Sequence, residues 1–303
     1  MRQGFPMKPE NLKSDLLLLL ASLIWGTAFV AQRIGMEDIT PFYFNGIRFL
    51  LGALVLIPVM LSKRNNFGVE DNGFPHGNPF QKQYIILGLL LFGGASLQQI
   101  GIVFTTAGKA GFITGLYVIL VPVLGVFFHR KTHPTTWLGA IFGITGLYLL
   151  SIKQGFSIQK GDFLVLIGAF FWTLHVLAVD KFTKRHRPLH LAFWQFVLCG
   201  VLSLLVAMVF EQISIRALRG AAVSTLYAGL LSVGIAYTLQ VVGQKYAHPS
   251  HAAIILSLES PFAALAGFII LHEVLSPKEI LGAILMVAGM VISQAFAFGN
   301  ERS

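Results

Sequence analysis

The sequence predicts an all-α membrane protein with ten transmembrane helices in two inverted-topology five-helix repeats. Three observations carry that prediction. Charged residues make up only 12% of the 303, against roughly 25% in average soluble chains, while hydrophobic residues reach 55% and mean hydropathy is +0.74. Ten apolar runs follow one another across short polar gaps, each near the length of chain that crosses about 30 Å of hydrocarbon at about 1.5 Å per residue. The second half of the chain also repeats the landmarks of the first.

The first run, 15–33, follows Lys8 and Lys13 as a signal peptide would, but its apolar character continues past Leu23 toward Val30 with no A-x-A site. It reads as a span, and it carries Trp25-Gly26. The second run, 41–61, opens after Thr40-Pro41 and holds Asn45 and Arg48 three residues apart, on one helix face. Residues 62–82 are polar and rich in Gly and Pro, which predicts a connection and not a domain. The third run, 84–104, contains Gln98 and Gln99. The fourth, 110–128, has Gly111 and Gly115 in G-x-x-x-G spacing and a mid-span Pro122. The fifth, 136–152, begins after His133-Pro134 and bears a stripe of Gly139, Gly143 and Gly146. Such stripes let helices approach closely, within the chain or between subunits.

In the sixth run, 162–180, Trp172 and His175 share a face. The seventh, 189–210, follows Arg187-Pro188 and holds Trp194-Gln195 and Cys199, the single cysteine, so an intrachain disulfide is excluded. The eighth, 221–243, places Tyr237 and Gln240 on one face. The ninth, 250–271, follows His248-Pro249 and contains Glu259 and Pro261. The tenth, 279–298, follows Ser276-Pro277. A proline inside a span removes a backbone donor and kinks the helix, which makes Pro122 and Pro261, at similar places in spans four and nine, matching hinge candidates.

The repeat is legible residue by residue. SDLLLLLASLIWGT matches GDFLVLIGAFFWTL, so that Asp15 precedes Trp25 by ten residues as Asp162 precedes Trp172, and WLGAIFGITG matches ILGAILMVAG. We place repeat one at residues 1–154, helices 1–5, and repeat two at 155–303, helices 6–10. Five spans per repeat force the second to cross in the opposite sense, the arrangement of alternating-access transporters. With the N-terminus inside, 14 of the 22 Lys and Arg fall on the inner side and seven on the outer, with Arg48 within a span. The bias predicts cytoplasmic N- and C-termini. The net charge of +9 thus reflects topology and lipid headgroups as partners, and no nucleic acid.

The segments LIWGTAFVAQRIG, FNGIRFLLGAL, TTAGKAGFITGLYVILVPVLG and SLESPFAALAGFIILHE resemble the drug/metabolite transporter superfamily, EamA type, and the resemblance runs from about residue 14 to 295. It implies ten helices around a central substrate cavity and export of small metabolites, amino acids or drugs across the bacterial inner membrane. One departure is that Arg130-Lys131 stand where the second-half pattern has Glu273.

Two charges lie deep in spans, Arg48 roughly 12 Å and Glu259 roughly 15 Å from the nearer end. An intramembrane charge costs about 2.5–3.5 kcal/mol on insertion scales, so both should face the bundle interior or a wet cavity. Glu259 is a candidate for solute contact or for carrying a coupling proton, with a buried structural carboxylate as the alternative. Arg48 is equally suited to a solute carboxylate or to tethering helices. Trp25, Asn45, Gln98, Gln99, Trp172, His175, Gln195, Tyr237 and Gln240 complete an aromatic and amide lining suited to a small, partly polar solute. Singly, each also reads as helix packing or interhelical hydrogen bonding. No cofactor or metal is expected: His272-Glu273 starts an H-E-x-x-H pattern that Ser276 breaks, and no Walker A sequence occurs. The expected function is secondary transport, with a passive facilitator or an intramembrane lipid-modifying enzyme as alternatives. Solute and oligomeric state stay open.

Overall fold

The computed structural model describes residues 9–61, 81–105, 107–128, 132–151, 160–270 and 276–295. The repeat boundary placed at 154–155, nearly all of the 62–82 connection, Arg130-Lys131 and His272-Glu273 lie outside them. The described residues are helical and without strands: α1 (Pro9–Gly35), α2 (Pro41–Leu61), α3 (Lys82–Phe104), α4 (Ala107–Gly115), α5 (Tyr117–Phe127), α6 (Pro134–Ser151), α7 (Lys160–Thr183), α8 (Pro188–Phe210), α9 (Ile215–Gly220), α10 (Ala222–Leu226), a π-helical segment (Tyr227–Tyr237), α11 (Thr238–Gln244), α12 (Pro249–Leu256), α13 (Glu259–Ile270) and α14 (Pro277–Ala295).

Five of these helices start on the prolines that close the polar gaps in the sequence. Proline suits a first helical position, where its missing N–H has no partner to lose. Eight spans among the described residues are long and apolar enough to cross a membrane. The remaining two runs form α6 and α14, of 18 and 19 residues. Leu54, Phe127, Val209 and Phe210 point outward and are more than half exposed. Apolar side chains in that position match a hydrocarbon surrounding, in which helices satisfy their own backbone groups.

Exchanging the halves carries each packing pair onto another. α3 lies along α7 as α1 lies along the π-helical segment and α11, and α4 and α5 meet α7 as α12 and α13 meet α1. The α2–α8 and α6–α14 pairs are each their own counterpart. These two pairs are antiparallel, because Gly46 backs on Leu204 where Gly200 backs on Leu50. Likewise a Cβ on Gly139 would stand 2.6 Å from the Gly289 carbonyl oxygen, and the reverse holds at 2.6 Å. The glycine stripe of the fifth run thus finds its partner within the same chain: Gly139 and Gly146 meet α14, and Gly143 meets Val118 of α5.

The fourth, eighth and ninth runs are not single α-helices. The fourth breaks at Leu116 and the ninth at Ser257-Leu258. Pro261 contributes to the second break: it cannot donate to Ser257, whose carbonyl instead accepts from Ser260 N at 3.1 Å. Pro122, by contrast, sits inside α5, one turn and more beyond the break at Leu116. The two prolines therefore do not occupy matching places. The matching features are the breaks.

Candidate functional site

Both breaks open on a central cavity between the halves. The cavity is small, about 40 Å³, room for a few waters. Of the residues singled out from the sequence, Trp25, Arg48, Gln98, Trp172, Tyr237, Gln240 and Glu259 line it. Tyr237 is the hub of its aromatic wall. Its ring centroid lies 4.5 Å from Trp25, 5.9 Å from Trp172 with the planes 28° apart, and 5.9 Å from Phe49. Trp25, Trp172 and Tyr237, on three elements from both halves, thus line one space, with Phe49 of α2 beside Tyr237.

The tryptophan N–H groups are used to hold the wall in place. Trp172 Nε1 donates to Gln98 Oε1 at 2.9 Å, linking α7 to α3. Gln98 Oε1 also accepts from Thr114 Oγ1 at 3.4 Å, and its Nε2 donates to Gln32 Oε1 at 3.4 Å. Trp25 Nε1 donates to the Ser232 carbonyl at 3.2 Å, within the π-helical segment. Wider π turns interrupt the regular ladder and recur at functional sites.

The two charges share the cavity without pairing. Arg48 is 1% exposed; its guanidinium carbon lies 5.4 Å from the Phe44 ring centroid and 5.0 Å from that of Phe49, and its Nε has no hydrogen-bond partner. No ion pair joins it to a carboxylate of the described residues. Glu259, 4% exposed, begins α13, and its Oε1 accepts from Tyr117 Oη at 3.0 Å across the two breaks. A Cβ on Gly26 would stand 2.7 Å from the Glu259 carbonyl oxygen, so glycine there lets α1 seat directly against the start of α13. Ser260 Oγ donates to the Gly111 carbonyl at 3.0 Å and closes the same junction from α4.

Four other candidates lie off the cavity lining. Asn45 Nδ2 donates to the Ala95 carbonyl at 3.2 Å and tethers α2 to α3. His175 Nε2 and Gln195 Oε1 meet at 2.7 Å, both fully buried, joining α7 to α8. Gln99 is fully buried and neither of its amide atoms has a hydrogen-bond partner. Sequence reasoning missed Gln32, Thr114, Tyr117 and Ser232, which line the cavity. Among the described residues no group of three or more His, Cys, Asp or Glu could hold a metal ion.

A family model described as the EamA-like transporter family matches residues 12–152 and again 159–294. An uncharacterized transporter of Archaeoglobus fulgidus is 31% identical over 292 residues, covering 96% of this chain and 89% of its own length. The uncharacterized transporter YoaV of Bacillus subtilis is 26% identical over 292 residues, covering 94% of this chain and 97% of its own. A solved crystal structure superposes with a TM-score of 0.78 at 20% identity, over 92% of this chain and 97% of that one. At that identity the likeness speaks for the fold alone.

Proposed function

The chain belongs to the EamA-like transporter family, and from that premise we propose a secondary transporter that exports a small organic solute across the bacterial inner membrane by alternating access. The observation that carries this reading is the meeting of two broken helices, one from each half, at a cavity holding Arg48 and Glu259. Discontinuous helices around a site between inverted repeats are the recurrent architecture of alternating-access transporters. The repeats rock about the site while it opens to one side and then the other. Glu259 is the candidate coupling group, since it is the one acidic residue of the cavity lining among the described residues and could pass a proton between the two sides. The excess of Lys and Arg on one side supports cytoplasmic termini.

An intramembrane enzyme would need nucleophile, acid and base converging near one interface. The polar groups instead converge on a central cavity walled by aromatic rings, which favours passage of a solute over chemistry on it. The test is flux through the purified protein in liposomes, with a mixed metabolite panel and with and without a pH gradient. Accelerated flux of a panel solute that responds to the gradient supports a proton-coupled transporter. Flux indifferent to every imposed gradient would make the protein a passive facilitator.

A further inference from the structure

We propose that the cavity selects a monoanionic carboxylate that also carries a hydrogen-bond donor, with Arg48 as the residue that binds the anion. The proposal rests on the transport reading of the same cavity and names its substrate class. Arg48 is 1% exposed, faces the cavity, and has aromatic rings and no carboxylate as its near neighbours. A guanidinium does not lose its proton in a protein, so this charge persists in the bundle interior. A buried charge without a counter-ion is strongly unfavourable, and an arriving anion in hydrogen-bonded geometry offsets part of that penalty.

The planar fork of the guanidinium fits a carboxylate or a phosphate in bidentate geometry. The charge balance chooses between them. Among the described residues Arg48 is the one cationic side chain of the cavity lining, and Glu259 faces the same space. With Glu259 protonated the two ionisable groups sum to one positive charge, which a carboxylate matches one to one and a phosphate dianion exceeds. A lipophilic cation would meet repulsion. A second unmet group adds to the description: Gln240 lines the cavity at 2% exposure, and its Oε1 has no hydrogen-bond partner. That acceptor calls for a hydroxyl or amino donor on the solute, while Trp25, Trp172 and Tyr237 cover its apolar body.

The test uses full-length protein in detergent, titrated with glycolate and lactate, with their uncharged amides, with methyl phosphate and with tetramethylammonium, all of similar size. The readout is the thermal midpoint, which rises with any ligand that binds the folded state. The carboxylates should act at concentrations about tenfold or more below their amides, the scale of a charge-assisted hydrogen bond. Phosphate and cation should act more weakly than the carboxylates. Arg48→Gln should erase the preference for carboxylate over amide, and Arg48→Lys should keep part of it. Equal binding of acid and amide by the native protein, no binding by either carboxylate, a preference for phosphate or cation, or a carboxylate preference that survives Arg48→Gln overturns the proposal. If Arg48→Gln yields no folded protein, the matched pairs on the native protein decide. Liposome flux separates the two readings: carboxylate binding without flux defeats transport and leaves the binding site standing. Flux of an uncharged or cationic solute that Arg48→Gln leaves intact does the reverse.

Discussion

Tyr117 and Glu259 stand at equivalent positions of the two halves. Aligned on the helix breaks, KAGFITGLY at 109–117 matches HAAIILSLE at 251–259, so the hydrogen bond between them crosses the pseudo-two-fold relation. The Glu259 carboxyl is therefore held by its own counterpart. Glu259→Gln keeps the volume and loses the charge; it should leave yield and monodispersity unchanged, reduce flux sharply, and strip the residual flux of its response to a pH gradient. Native flux with native pH dependence from well-folded Glu259→Gln protein would make the residue structural. Tyr117→Phe removes only the donor and should lower stability by about 1–3 kcal/mol, the cost of an unmet buried acceptor, read as a lower thermal midpoint. Arg48 and Glu259 were legible as interior residues because a charge deep in an apolar run should face the bundle or a wet cavity, and both line the cavity. Tyr117 was not, because a tyrosine in such a run looks like packing. The signal lay in the register of the breaks, which the prolines three residues out of step concealed.

At the scale of elements, hydropathy recovers where helices start and stop but not how they are wound. The break at Leu116, the break at Ser257-Leu258 and the π-helical segment Tyr227–Tyr237 interrupt apolar runs without changing their apolar character. The π-helical segment also has no counterpart in α3, which is regular from Lys82 to Phe104, so the repeats differ where Trp25 meets Ser232. Small-residue stripes were legible as close contacts, and only the structure supplies their partners. A Cβ on Gly139 meets the Gly289 carbonyl at 2.6 Å, while one on Gly111 finds nothing nearer than Phe29 at 3.8 Å. Gly139→Ala should therefore force α6 and α14 apart at a cost of about 1–3 kcal/mol. Gly111→Ala should be neutral or stabilising by up to about 1 kcal/mol, through the higher helix propensity of alanine. Thermal midpoints of the two variants in one detergent check the contrast; equal effects would mean that the α6–α14 seam yields readily.

For the molecule as a whole, an odd number of spans per repeat is the expectation that orientation tests most sharply. Lys160 opens α7 and Arg216 lies in α9, both exposed; Arg185 is exposed just beyond α7. Cys199 is fully buried, so the native background should be silent to a membrane-impermeant thiol reagent. Cysteines placed at Lys160 and Arg216 should label from outside intact cells, and those at Lys131 and Arg185 only after permeabilisation. The Lys131 and Lys160 sites flank α6, the shorter of the two helices outside the eight clear spans. α6 is about 27 Å long at about 1.5 Å per residue, close to the thickness of the hydrocarbon core. Its glycine face is locked against α14, whose own crossing is tied to it by the antiparallel register of Gly139 with Gly289 and Gly146 with Gly282. If positions 131 and 160 labelled from the same side, α6 would not cross. α14 would then lose its crossing partner, and the halves could no longer be inverted copies that alternate about one site.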